Sequence, residues 1–196
     1  MSNEQLMEEI MSYNKEFVDQ KEYEPFLTSK FPDKRMVVLT CMDTRLVELL
    51  PRAMNLKNGD VKIIKSAGAV VSHPFGSIMR SILVAIYELQ ATEIAIVGHY
   101  ECGMASINPQ ELLDKAVKNG IDPMDIKMME ACGIDLHKWL SGFDSVEESV
   151  VRSVKLVKQH PLLPKRIAVH GLIIDPKTGG LNWLHNGYQD IVGDGA

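Results

Sequence analysis

Two short apolar runs constrain the fold of this chain more than any other feature of its sequence. Residues 37–40 (Val-Val-Leu-Thr) and 94–97 (Ile-Ala-Ile-Val) are rich in β-branched side chains. Runs of this length and composition are typical of strands that are buried on both faces of a sheet. Each run leads into side chains that bind metals or carry charge. The sequence therefore predicts a core sheet that presents reactive groups at the ends of its strands.

Helical and strand patterns alternate along the rest of the chain. Strands are predicted at residues 36–40, 61–65, 93–97, 166–172 and 181–185, and helices at residues 45–54, 76–90, 109–140 (interrupted) and 145–159. This alternation predicts an α/β fold with a mostly parallel central sheet of about four strands plus an antiparallel edge strand, flanked by helices. An amphipathic N-terminal helix, with Leu6, Ile10, Tyr13 and Phe17 on its apolar face, precedes the sheet and could pack on its own core or on a neighbouring subunit.

Length and composition narrow the class of protein. A chain of 196 residues suits one domain, residues 1–196, divided into a helical arm at 1–33 and a core at 34–186. The net charge of −5, without a basic cluster, argues against nucleic acid as a partner. No apolar run reaches the roughly 20 residues that span a membrane, and no signal peptide is recognisable. Three cysteines are too few for a disulfide scaffold, so we expect a cytoplasmic protein with free thiols or metal ligands.

The two apolar runs end in motifs with metal-binding residues. Cys41-x-Asp43-x-Arg45 follows the first run and His99-x-x-Cys102 follows the second. Alone, Cys41 is typical of a small buried apolar residue. An imidazole and a thiolate three residues apart in a tight turn can chelate one ion, and Cys41 would be the third ligand if the two strands are neighbours. Three protein ligands leave a fourth position open, which is typical of catalytic zinc.

Asp43 and Arg45 add charge beside this predicted zinc site. As an exposed ion pair they would contribute at most about 1 kcal/mol to stability. Beside a metal, the carboxylate can orient a water molecule, and the guanidinium can keep that carboxylate ionised. Zinc lowers the pKa of a bound water, although two thiolates should reduce this effect relative to neutral imidazoles. Gly98 and Gly103 flank the second motif and permit unusual backbone angles and close approach.

These motifs resemble those of the β-class carbonic anhydrases, over about residues 34–184. The resemblance implies Zn²⁺ held by Cys41, His99 and Cys102, with Asp43 and Arg45 as a catalytic dyad. It also implies reversible hydration of carbon dioxide to bicarbonate by a homodimer or a dimer of dimers. In some members the aspartate moves onto zinc and gives an inactive form at mildly acid pH, so Asp43 is a possible fourth ligand here.

The sequence departs from the family pattern at two places. Many relatives carry Arg-Asn-Ala-Gly after the second strand, where this chain has Lys65 followed by Ser66, Ala67 and Gly68. We expect Ser66, Ala67, Gly68 and Gly103 to line the substrate pocket. Glu101 stands between the metal ligands, where relatives often have Asp or another small residue. The run Cys102-Gly103-Met104 matches the microbial subgroup.

Three other functions fit parts of the same pattern. A related hydrolase of carbon disulfide or carbonyl sulfide would use the same zinc and dyad. A non-catalytic zinc or bicarbonate sensor would keep Asp43 on the metal. A cysteine enzyme would use Cys41 and His99 without a metal. Cys132 is predicted to be a free thiol, and the five remaining histidines have no motif; of these, His73 or His137 could carry protons if it lay near the pocket mouth.

Overall fold

The computed structural model describes residues 3–191, which fall into two compact units divided between Lys30 and Phe31. The first unit contains helix α1 (Asn3–Asp19) and a 3-10 turn at Glu24–Phe26. The rings of Tyr13 and Phe17 on α1 pack with their centroids 6.5 Å apart. Leu6, Ile10 and Tyr13, on the apolar face predicted for this helix, are 50%, 48% and 63% exposed among the described residues.

The second unit is the α/β structure that the sequence predicts. Its elements are β1 (Met36–Cys41), α2 (Leu46–Ala53), β2 (Val61–Ser66), α3 (Ser77–Tyr87), β3 (Glu93–His99), α4 (Pro109–Lys118), α5 (Pro123–Ala131), α6 (Leu136–Leu140), α7 (Val146–Lys158), β4 (Ala168–Ile174) and β5 (Leu181–His185). Within residues 3–191, no helix combines the length and apolar content needed to cross a membrane.

The five strands form one sheet in the order β2-β1-β3-β4-β5. The first four strands are parallel, and β5 pairs antiparallel with β4. The predicted fold class is therefore confirmed. The chain moves outward from β1 to β2 and then returns to place β3 on the other side of β1. This reversal of direction opens a crevice between the carboxyl ends of β1 and β3, where ligands bind in sheets of this kind.

The strands extend further than the sequence patterns predict. β1 was expected to end at Thr40 and β3 at Val97, but their ladders continue through the pairs Cys41↔Ser66 and His99↔Ile174. α3, in contrast, ends at Tyr87 instead of residue 90. Gln90 has a φ of 62°, in the left-handed region that an α-helix cannot contain. Because β1 and β3 are longer than predicted, two of the predicted metal ligands, Cys41 and His99, are the last residues of core strands.

The core lies on both faces of β1 and β3. Val37, Leu39, Ile94 and Ile96 have no exposed surface. The valines of α7 pack over β3 and β4, while α3 packs on β2. A Cβ placed on Gly98 would lie only 2.7 Å from Val150 Cγ2, so this glycine allows α7 to approach β3 closely. The strand ends that carry the candidate site are therefore fixed from the sides by the sheet and from above by a helix.

Candidate metal centre

The three predicted ligands meet at the carboxyl end of the sheet. Cys41 ends β1, His99 ends β3, and Cys102 follows in the next turn. All three are buried, and their ligand atoms lie within 4.8 Å of one another. The two Sγ atoms are 3.9 Å apart. Two sulfurs bound at about 2.3 Å to one tetrahedral zinc would be separated by about 3.8 Å, so the spacing fits a shared ion.

The hydrogen bonding of His99 leaves the correct nitrogen available for a metal. Its Nδ1 lies 2.8 Å from the carbonyl oxygen of Tyr100, which can only accept a hydrogen bond. Nδ1 therefore carries the proton and Nε2 keeps its lone pair. Nε2 is buried and has no hydrogen-bond partner among the described residues. An unsatisfied buried polar atom costs roughly 1–3 kcal/mol, and coordination of a metal would remove that cost.

The two thiols differ in acidity. Burial, the largest effect, opposes ionisation of Cys41, but the His99 side chain beside it and hydrogen bonds from the backbone of Asp43 and Gly68 together outweigh burial and lower the pKa of Cys41. Burial raises the pKa of Cys102, and the neighbouring Cys41 adds to this effect. The protein itself therefore stabilises one thiolate here and disfavours a second beside it. A divalent metal bound between the two sulfurs would stabilise both as thiolates.

Asp43 and Arg45 form a two-point ion pair beside these ligands. Arg45 donates from Nε to Oδ1 of Asp43 at 3.0 Å and from Nη2 to Oδ2 at 2.9 Å. These bonds lower the pKa of Asp43 to about 2, against the opposing effect of burial. Asp43 Oδ2 also lies 3.8 Å from Nε2 of His99. The carboxylate is therefore ionised at neutral pH and faces the atoms that would surround a metal.

The strained backbone position of the second motif is Glu101, not either glycine. Glu101 has a φ of 55°, whereas neither Gly98 nor Gly103 lies in the left-handed region. For a residue with a side chain this conformation costs roughly 1–2 kcal/mol. The expectation of unusual backbone angles at these glycines was wrong, whereas the expectation of close approach holds for Gly98. Gly98 instead makes room for α7, and a Cβ on Gly103 would have no heavy atom within 4 Å.

The four predicted pocket residues lie around the ligands. Ser66 pairs with Cys41 in the β1–β2 ladder, and its carbonyl accepts a hydrogen bond from Met42. Ala67 and Gly68 form a 3-10 turn, in which Gly68 has a φ of 71°. A Cβ on Gly68 would lie 2.7 Å from Cε1 of Phe143, so this position needs glycine for space as well as for its backbone angle. Gly103 directly follows the third ligand.

The other candidate residues lie elsewhere. Cys132 is exposed at the end of α5, and His160 and His170 are buried outside the metal centre. The contact that the sequence did not predict is between Glu101 and Lys177, whose side chains form an ion pair. Its two residues are 76 positions apart, so no local pattern could indicate it. Glu101 itself could be suspected from its place between two ligands.

Comparisons with known proteins agree with this geometry. The family model described as "Carbonic anhydrase" matches residues 36–181. The chain is 59% identical over 180 residues to "Putative carbonic anhydrase YvdA" of Bacillus subtilis (strain 168), covering 92% of this chain and 91% of that one. It is also 27% identical over 159 residues to a carbon disulfide hydrolase of Acidithiobacillus thiooxidans, covering 78% of each.

Among solved structures, the β-carbonic anhydrase isoform I of Trichomonas vaginalis superimposes with a TM-score of 0.84. It is 38% identical, and the match covers 96% of this chain and all of that one. The family match over residues 36–181 and this superposition lead to one conclusion. The chain belongs to the β-class carbonic anhydrase family.

Proposed function

We propose that this protein catalyses the reversible hydration of carbon dioxide to bicarbonate and a proton, with zinc held by Cys41, His99 and Cys102. The observation that carries the proposal is the convergence of these three buried donors beside an ionised carboxylate. The donor set of two thiolates and one imidazole suits zinc better than the hard cations, which prefer oxygen ligands. Zinc, when bound with an open position, lowers the pKa of water and supplies a nucleophile near neutral pH.

Asp43 acts as a hydrogen-bond acceptor in this mechanism. With a pKa of about 2, it holds no proton at neutral pH and is too weak a base to keep one. Its role is to fix the orientation of the reacting water through Oδ2. The proton released by hydration must then pass to a buffer or another side chain. Arg45 supports Asp43 by donating a hydrogen bond to each carboxylate oxygen, which fixes the orientation of the carboxylate.

We assign the binding of a small linear substrate to the surroundings of Gly68 and Gly103. A Cβ on Gly103 would meet no heavy atom within 4 Å, and the side chains of Phe143 and Met104, which fill the space beside Gly68, would provide an apolar wall. Carbon dioxide has no net dipole and makes weak hydrogen bonds, so an apolar wall beside the nucleophile suits it. We assign Ser66 and Ala67 to the same wall, because they connect β2 to Gly68.

Metal analysis and a stopped-flow hydration assay test the proposal directly. Protein purified under reducing conditions should contain about one zinc per chain, because the site has three ligands for one ion. A chelator should abolish carbon dioxide hydration, and added zinc should restore it. Cys41→Ser should lose zinc and activity, whereas the matched control Cys132→Ser should keep both, since Cys132 is exposed and outside the site. Active protein without metal would contradict the proposal and favour a cysteine nucleophile.

Carbon disulfide hydrolysis is the second candidate, because carbon disulfide hydrolases are among the relatives. The same purified protein can be assayed for hydrogen sulfide release. Turnover of carbon disulfide without turnover of carbon dioxide would make carbon disulfide hydrolysis the assigned function. A sensor with Asp43 on the metal would require the carboxylate to leave its two-point pair with Arg45.

We also propose that the protein is a homodimer or a dimer of dimers. The exposed apolar side chains of α1, Leu6, Ile10 and Tyr13, support this proposal, since an amphipathic helix gains stability by burying its apolar face. In this assembly residues 1–33 would act as an arm and residues 34–186 as the catalytic core. The three free thiols are compatible with a reducing compartment such as the cytoplasm.

A further inference from the structure

The guanidinium of Arg45 is held from two sides. Asp43 accepts hydrogen bonds from Nε and Nη2. On the other side, the carbonyl oxygen of Glu101 accepts from Nη2 at 3.2 Å, and Oε2 of Glu101 lies 3.5 Å from Nη1. Every nitrogen of the guanidinium therefore has a partner in these two residues. The plane of Arg45, and with it the plane of the Asp43 carboxylate, depends on both contacts.

The backbone of Glu101 is shaped for this contact. Its left-handed conformation, with a φ of 55°, accompanies a carbonyl that meets Arg45. Glycine would adopt this conformation without strain. A glutamate at this position adds a carboxylate that lies against the same guanidinium, so the side chain supplies a second contact that glycine lacks.

Lys177 fixes the carboxylate of Glu101 from a different element. It lies in the turn between β4 and β5 and pairs with Oε1, while Oε2 faces Arg45. The turn is itself well bonded: the backbone N–H of Lys177 donates to Oδ1 of Asp175 at 2.7 Å, and Asp175 N–H donates to the carbonyl of Gly180 at 2.9 Å. Lys177 is thus held by a defined turn on the neighbouring strand pair.

We propose that Glu101 and Lys177 are positioning residues for the Asp43–Arg45 dyad. Lys177 orients the Glu101 carboxylate, Glu101 orients Arg45, and Arg45 orients the carboxylate that faces the metal centre. This inference rests on the proposed function for its effect on turnover, but not for its effect on Arg45 itself. Glu101 and Lys177 are 54% and 68% exposed, and exposed ion pairs add little to folding stability. Their removal should therefore change the dyad and leave the fold intact.

The test compares Glu101→Gln and Lys177→Met with the matched control Glu48→Gln, which removes an exposed carboxylate from an ion pair with Arg52. With zinc fully bound, Glu101→Gln should lower kcat about 10-fold, the scale seen for residues that orient a metal centre from outside its ligands. KM, zinc content and Tm should stay at wild-type values. Lys177→Met should give a smaller loss, Lys177→Arg should retain activity, and the double variant should be no worse than Glu101→Gln.

The Nε–H resonance of Arg45, assigned by its loss in Arg45→Lys, provides a readout independent of turnover. It should exchange with water faster in Glu101→Gln and Lys177→Met than in wild type or Glu48→Gln. Unchanged Nε–H exchange, additive losses in the double variant, or a loss of kcat that follows zinc or Tm would overturn the inference. If zinc-loaded wild-type protein does not hydrate carbon dioxide, the proposed function fails, and the Nε–H exchange still decides whether Glu101 and Lys177 hold Arg45.

Discussion

The two ends of the sheet each bury a histidine, and they differ in which ring nitrogen meets the backbone. At the carboxyl end, Nδ1 of His99 faces the carbonyl of Tyr100 and must carry a proton. Toward the amino end, Nδ1 of His170 accepts a hydrogen bond from the N–H of Gly187 at 3.1 Å. In neutral His170 the proton is therefore on Nε2. One backbone contact thus leaves the Nε2 lone pair of His99 available for a metal and makes Nε2 of His170 a donor.

The surroundings of the two imidazoles follow the same division. Each Nε2 has a carboxylate nearby: Asp43 Oδ2 at 3.8 Å from His99 and Glu93 Oε2 at 3.7 Å from His170. Two thiols complete the first group. The second is completed by aromatic rings, with Trp183 and Tyr188 centroids 5.4 and 4.5 Å from the His170 ring. Burial and a carboxylate alone therefore do not mark a functional histidine.

Replacing His99 and replacing His170 should give the largest difference in zinc content and activity between the two ends of the sheet. His99→Ala should lose zinc and reduce carbon dioxide hydration by more than about 1,000-fold, because the remaining two thiolates cannot hold a catalytic zinc. His170→Ala should keep its zinc and its kcat per zinc, although it will be less stable. Metal content and stopped-flow rates of the two variants provide the measurement. Equal zinc loss in both would remove the distinction between the two ends.

Replacing Asp43 should mainly affect activity, whereas replacing Glu93 should mainly affect stability. Asp43→Ala should lower kcat by about 100-fold or more, with zinc retained, because the reacting water loses its oriented acceptor. Glu93→Gln should leave kcat unchanged and lower the free energy of unfolding by about 1 kcal/mol, because it weakens the bond from the hydroxyl of Tyr188 at 2.9 Å. Denaturant unfolding and hydration assays on both variants test this. A stable, fully active Asp43→Ala would favour a non-catalytic site.

The smallest expected effect is a pH dependence of stability at the amino end. Burial lowers the pKa of His170 below its ordinary value of 6.5, with His185 adding to the shift and Glu93 opposing it; the hydroxyl of Tyr188 also faces this group through Glu93. The unfolded chain therefore binds a proton first as pH falls. The stability that neutral His170 contributes is complete above pH 6.5 and is lost as pH falls from there through the lowered folded pKa.

His170→Gln should reduce the slope of the free energy of unfolding against pH. For one titrating group this slope cannot exceed about 1.4 kcal/mol per pH unit. The measurement is the free energy of unfolding between pH 7.5 and about 5, taken as the difference between wild type and variant so that effects of the metal centre cancel. Parallel curves for the two proteins would show that His170 does not contribute.

Much of the fold and of the ligand group could be predicted because their signals are local. Buried parallel strands produce unbroken apolar runs, and Cys41 and His99 stand directly at the ends of two such runs. The proximity of these residues was predicted only on the condition that the two strands are neighbours, and the strand order of the structure meets that condition. The extra strand residues were missed because polar side chains there are buried for reasons of chemistry, not of hydrophobicity.

The contacts that could not be predicted depend on distant backbone groups. The proton position on His170 is set by Gly187, and the orientation of Arg45 is linked to Lys177 in a turn more than 100 residues later in the chain. Neither contact has a periodic or motif-like pattern. The left-handed backbone at Glu101 was assigned to the neighbouring glycines because propensity alone favours them, and here a specific contact with Arg45 outweighs that preference.

Two of the three candidate metal ligands, Cys41 and His99, terminate hydrogen-bonded strands, while Cys102 lies in the turn beyond β3. Opening the strands would break ladder bonds in the most stable part of the molecule, whereas a turn can move by itself. If a metal is held by these three residues, Cys102 is the one that could move away from it while the sheet stays intact. Exchange of the metal with solution should accordingly be governed by the lifetime of a single sulfur contact and not by global unfolding.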